Sequence, residues 1–226
     1  MDPETVSFLR IGIIQYIILA ASIALHECGH AYSADRLGDR LPRMQGRVTL
    51  NPLSHLDPIG TGLIPLLMIF SPLIFGGGAP IALIGWGRPV QIDLTNFHPK
   101  DRTRNHLLVT AAGPAVNFVI ALAAAIIGGV IAHLNPEIVL LFWQIITLNV
   151  ALIVFNLIPI PPLDGSHFLR YATGMSEETF FRLASWGIFI LLFLVNFGPS
   201  RALMGTLIHW GRLPFGILMG VIAKIF

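Results

Sequence analysis

The sequence predicts an all-α polytopic membrane protein with about five to six transmembrane segments, a proline-broken re-entrant or hairpin element and a short β element. Three observations lead there. Apolar runs near residues 6–35, 105–133 and 138–158 reach bilayer-spanning length. The 226 residues are 54% hydrophobic and only 12% charged, with mean hydropathy +0.76, about half the charge of a soluble domain. The first run then places His26, Glu27 and His30 inside apolar sequence, where ionisable groups are costly and mark function.

The first run carries no charge between Arg10 and Glu27, so it reads as a spanning helix over 6–35 that stops at Leu37-Gly38. His26 and His30 are four residues apart and project from one face of that helix. With Glu27 between them they form H-E-x-x-H, which needs those residues at that spacing for two zinc ligands and a general base. At ~1.5 Å per residue the metal would lie roughly 10 Å below the nearer membrane surface.

Arg36, Arg40, Arg43 and Arg47 follow, and the positive-inside rule makes that side cytoplasmic. Residues 47–50 alternate polar and apolar, as in a short strand. His55 and Asp57 sit in a turn-rich segment, as metal ligands or as loop residues that order a path in or touch substrate.

Residues 59–86 are apolar but broken by Pro65, Pro72, Gly76 to Gly78 and Pro80. Arginines flank both ends, which favours a helix over 59–75 that returns through residues 81–84. Such backbone at membrane depth must line a cavity. Residues 81–92, centred on Gly85-Trp86-Gly87, supply an edge strand or small hairpin.

The span over 105–133 contains Gly113-Pro114, which allows a kink or close helix approach. Asn117 needs a partner there, as glue between helices or as a site residue. Residues 138–158 return to the cytoplasmic side. Pro159, Pro161 and Pro162 end that helix and stiffen the chain in an extended form that presents Asp164. Hydrolytic zinc sites commonly take three protein ligands and leave a position for water, and His26, His30 and Asp164 complete such a set. Ser176, with Glu177 and Glu178, starts a final pair of spans over 178–197 and 202–224. His98, His106, His133, His167 and His209 read as structural.

The chain is expected to be one integral-membrane domain over 1–226, with a catalytic core at about 6–170 and accessory helices at 176–226. No cleavable signal peptide is expected. The formal charge of +2 and the absence of basic clusters argue against nucleic acid, and the single cysteine excludes an internal disulfide.

With these motifs placed, the chain resembles the site-2 protease family of intramembrane zinc metalloproteases. The matching pieces are His26 to His30, Gly113-Pro114 with Asn117, and Asn156 to Gly165, which fits N-x-x-P-x-P-x-L-D-G at every fixed position. The chain is expected to depart from the family pattern as a short form, without PDZ or CBS domain and with no helix before the one bearing the histidines. The resemblance implies one Zn2+ held by His26, His30 and Asp164, with Glu27 as catalytic base. Asn156, Pro159, Pro161 and Pro162 would then shape the Asp164 loop and position substrate. The strand-like region would hold an unwound transmembrane substrate.

The expected reaction is peptide hydrolysis within or near a transmembrane segment, in a multi-pass plasma or inner membrane protein with its active site near the cytoplasmic side. An oligomer stays open. Two rivals are a prenylated-protein-processing zinc protease, drawing its third ligand from a later glutamate, and a non-proteolytic metal-binding membrane chaperone or transporter.

Overall fold

The computed structural model describes residues 3–75 and 85–225. Helix α1 spans Pro3–Leu37 and stops where Gly38 turns to a φ of 117°, a value that only glycine adopts without strain. A short helix α2, Leu41–Met44, leads into a loop that Asn51 and Asp57 organise. Asn51 caps Leu53, while Asp57 accepts from the backbone of Ile59 and Gly60 and opens the turn before α3, Ile64–Phe75. Helix α4 spans Arg102–Val130 and α5 spans Pro136–Asn156, with Asn135 capping Glu137 between them. Then follow α6, Asp164–Thr173; α7, Glu177–Asn196; and α8, Gly198–Ile222.

Helix α4 is the centre of the bundle, packed against α1, α5 and α8. Its small residues Ala121, Ala124 and Ala125 admit Ile146 and Val150 of α5 and Phe215 and Met219 of α8. Bundle-facing positions are small because helices in lipid associate by close packing rather than by hydrophobic exclusion. The outer faces are apolar instead: Ile17, Val119 and Ile217 are each at least 60% exposed. Three helices among the described residues are long and apolar enough to cross a membrane, at Thr5–Leu37, Pro99–Val130 and Glu137–Asn156.

Four expectations need correction. No strand forms at 47–50 or in residues 85–92, although 85–92 is non-helical and meets the preceding loop in one antiparallel bridge, Leu56 to Gly87. Residues 81–84, and with them the proposed return of the chain, lie outside the described residues. The proline segment 157–163 makes consecutive turns rather than an extended run, closed by Ile160 N to Ile158 O and Leu163 N to Ile160 O. Asp164 is the first residue of a helix, not part of a loop.

The last correction concerns the final pair of helices. Phe215 meets Phe118 with ring centroids 5.5 Å apart, and Gly129 faces Ile222, so α8 runs parallel to α4. Gly198 and Arg102 each lie about 25 Å back along their helices from that ring contact. Helix α7 therefore begins and ends on one side of the bundle. It lies across that end, with Phe180 on His167 and Gly187 against the Pro161 carbonyl, rather than pairing with α8 as a second crossing.

Candidate metal centre

His26 and His30 are both buried on α1, 6% and 9% exposed, and face α4. Glycine makes this approach possible. A Cβ at Gly113 would stand 2.6 Å from Cε1 and Nε2 of His26, and one at Gly29 would stand 2.8 Å from Val116. Across this contact α4 fixes both imidazoles. His30 Nδ1 lies 2.7 Å from the Val109 carbonyl and His26 Nδ1 lies 2.6 Å from Asn117 Oδ1.

The orientation of Asn117 follows from its own partners. Asn149 Nδ2 donates to the Ile145 carbonyl at 2.9 Å and to Ser22 Oγ at 3.0 Å. Asn149 Oδ1 is thereby left to accept from Asn117 Nδ2, at 2.9 Å. Asn117 must then turn Oδ1 to His26, so His26 Nδ1 is the donor; His30 Nδ1 must likewise donate to a carbonyl. With neutral imidazoles, both Nε2 atoms carry lone pairs.

Those lone pairs converge on a carboxylate. His26 Nε2 is 3.1 Å from His30 Nε2 and 3.3 Å from Asp164 Oδ2, and His30 Nε2 is 3.5 Å from the same oxygen. Asp164 Oδ2 is buried and makes no hydrogen bond among the described residues. In the neutral imidazole state these three atoms are all acceptors, which repel one another unless a cation sits between them. The size fits zinc: with bonds of about 2.0–2.1 Å, ligand atoms of a tetrahedral site are about 3.3 Å apart. Among the described residues this is the only group of three or more His, Cys, Asp or Glu side chains that meets so closely.

The cluster opens on a cavity of about 480 Å³. Glu27, Gly87, Asn156, Pro162 and His167 are among its walls. Asn156 donates one amide hydrogen to Leu152 O at 3.0 Å, and the other has no partner among the described residues. Pro161 is buried under α7 and Pro159 is exposed; neither lines the cavity. Asn117 is fully buried behind His26, away from the cavity wall. His55 is fully buried with Nε2 on Thr49 O, and Asp57 caps a turn, so neither joins the cluster. Glu177 and Glu178 pair with Arg170 and Arg182 on the surface and are not part of the cluster.

Ser22 and Asn149, which continue the Asn117 chain, and the cavity positions of His106 and His167 do not stand out from sequence spacing. Polar residues in apolar helices were the available signal, since each needs a partner.

The signature described as Peptidase family M50 matches residues 127–195, which contain the Asn156 to Gly165 motif. The chain is also 32% identical over 206 residues to "Putative zinc metalloprotease YwhC" of Bacillus subtilis, covering 84% of this chain and 85% of that protein. The chain belongs to peptidase family M50. Two further relatives share the name "Putative zinc metalloprotease Rip2". The one from Mycolicibacterium smegmatis is 33% identical, covering 84% of this chain and 69% of the relative. The one from Mycobacterium tuberculosis is 30% identical, covering 92% and 77%. No solved structure matches the chain. The H-E-x-x-H of α1 and the Asn156 to Gly165 stretch at the α5–α6 turn are the two stretches that the fold brings together.

Proposed function

We propose that this M50 zinc metalloprotease hydrolyses a peptide bond within, or at the edge of, a transmembrane segment of a membrane-protein substrate. The observation that carries the reading is the meeting of His26 Nε2, His30 Nε2 and an Asp164 carboxylate oxygen within 3.5 Å of one another beside Glu27, inside a bundle of membrane-spanning helices. His26, His30 and Asp164 hold the zinc. When bound, zinc acidifies water and polarises a carbonyl.

Glu27 accepts the proton of the attacking water and delivers it to the leaving amine. Asn117 holds His26 in the tautomer that leaves Nε2 free, and Val109 does the same for His30. The second amide hydrogen of Asn156 reaches a substrate carbonyl or the developing oxyanion. Pro159, Pro161 and Pro162 shape the turns that deliver Asp164.

A helical substrate hides its carbonyls in its own hydrogen bonds and must unwind first. Residues 85–92 offer the extended form a partner. Arg88 N bonds His55 O across the Leu56–Gly87 bridge, so the N–H and C=O of Gly87 point away from Leu56 and make no bond among the described residues. Pairing there adds a strand to that edge, and main-chain bonds supply the affinity. The arginines after α1 support a cytoplasmic position for this end, in a multi-pass plasma or inner membrane protein. A chaperone or transporter has no use for a carboxylate beside the ligands.

The test is Glu27→Gln. The variant should keep its zinc while cleavage of a reconstituted transmembrane substrate falls by about 10²–10⁴-fold. Zinc retention with normal cleavage excludes the reading.

A further inference from the structure

The loop between α1 and α3 is tied to residues 86–96 at several points along one edge. Asp39 is fully buried and accepts from Asp93 N at 2.8 Å and Asn96 Nδ2 at 2.7 Å. Gln45 donates to Gln91 at 2.6 Å. Gly60 O and His55 O accept from Trp86 N and Arg88 N, at 3.3 and 2.8 Å. The remaining tie is unlike these, because it carries a full charge: Arg47 Nη2 donates to the Arg88 carbonyl.

Arg47 is only 5% exposed, its Nε is buried without a partner, and no carboxylate forms a salt bridge with it among the described residues. Burial pushes its pKa down, and the field of Glu27 works against that. An arginine that merely marked the cytoplasmic side would lie in water, as Arg36, Arg40 and Arg43 do. A guanidinium taken out of water without an anionic partner is costly. Its one bond goes to the residue after Gly87. A Cβ at Gly87 would stand 2.9 Å from Glu27 Cγ and 3.1 Å from Glu27 Oε1, so this backbone lies directly against the base.

We infer that Arg47 is a positioning residue: by gripping the Arg88 carbonyl it fixes how Gly87 stands against Glu27, and so where an extended peptide is presented to the base. The inference rests on residues 85–92 being the substrate-pairing segment. The bond to a charged donor on one side of the segment holds its other edge in register for the incoming strand. Loss of Arg47 should therefore weaken substrate binding more than turnover, and leave the metal cluster intact.

The experiment compares Arg47→Met and Arg47→Lys in the full-length, zinc-loaded protein in vesicles. Zinc content, KM and kcat are measured on a transmembrane substrate and on a short extended peptide from its cleaved segment. Arg47→Met should keep one zinc, raise KM about tenfold to a hundredfold on both substrates and change kcat by less than about threefold. Arg47→Lys keeps a donor and a charge and should restore KM to within about threefold. Unchanged kinetics, a fall in kcat at constant KM, or loss of zinc would each overturn the inference. Should Arg47→Met not fold, a Lys variant with KM raised tenfold and no recovery would overturn it as well. A backbone N-methylated version of the same peptide separates the two readings. If N-methylation leaves KM unchanged, the pairing segment is wrong; if it raises KM while Arg47→Met does not, only the role of Arg47 is wrong.

Discussion

Asn117 Oδ1 lies 2.6 Å from Nδ1 of His26, and the direction of that bond is settled by a backbone carbonyl two amides away. The Ile145 carbonyl can only accept, so Asn149 presents Nδ2 to it; Asn149 Oδ1 then takes Asn117 Nδ2, and Asn117 Oδ1 takes the His26 proton. Helices α1, α4 and α5 each contribute to this chain, and Ser22 closes it on α1. The tautomer of one proposed ligand is thus fixed by the packing of three helices, with a ring nitrogen bared at the other end.

Asn117→Ala removes the acceptor and lets the His26 ring rotate and exchange tautomers. Zinc affinity should fall about 10–100-fold, as for other losses of a bond to a metal-bound imidazole. Asn149→Leu should act in the same direction but less, because it frees Asn117 to flip rather than deleting its oxygen. Competition with a chelator of known affinity measures both. Equal zinc affinity in Asn117→Ala and the unaltered protein would show that the bond does not orient His26.

Gly113 separates the two requirements on α4, helix stability and room for the ligands. A Cβ there would overlap His26, and overpacking of this kind costs about 1–3 kcal/mol. That outweighs the ~1 kcal/mol which alanine gains over glycine inside a helix. Gly113→Ala should therefore lower both thermal stability and zinc content in detergent. Gly205 on α8 has nothing within 4 Å of its Cβ position, so Gly205→Ala shows the propensity gain alone and should raise stability. A Gly113→Ala protein as stable and as zinc-loaded as the original would mean that α4 can retreat from α1.

The parts of this site that could be read from the chain are those whose chemistry depends on local spacing. His26, Glu27 and His30 share a helical turn, and the stop at Gly38 and the cap at Ser176 are likewise set within a few residues. Asp164 was legible because a carboxylate in apolar surroundings demands a cation. Helix α6, with its stop at Gly174, where φ is 66°, is not legible in the sequence, because the prolines before it mark a loop. Arg47 reads as a surface charge in the sequence because its burial depends on the distant segment at 85–93. The direction of α8 was beyond reach for a similar reason. Its sequence is apolar either way, and only the fit of Phe215, Met219 and Ile222 against α4 decides it.

The third ligand can be tested by pitting the acids of this half of the chain against each other. Asp164 stands within 3.5 Å of both Nε2 atoms, whereas Glu177 and Glu178 are paired with arginines at the surface. Asp164→Ala should leave two imidazoles and lose the bound zinc on purification, with cleavage abolished. The double variant Glu177→Gln and Glu178→Gln should retain one zinc per chain. Stability should follow the metal. Zinc at a hundred times its dissociation constant stabilises the folded state by about 2.7 kcal/mol, so a chelator should lower the melting temperature of the unaltered protein and added zinc should restore it. The Asp164→Ala protein should show a much smaller response to either treatment. A double glutamate variant that loses zinc, beside an Asp164→Ala variant that keeps it, would transfer the ligand to the start of α7 and make the convergence of Asp164 on His26 and His30 a structural contact only.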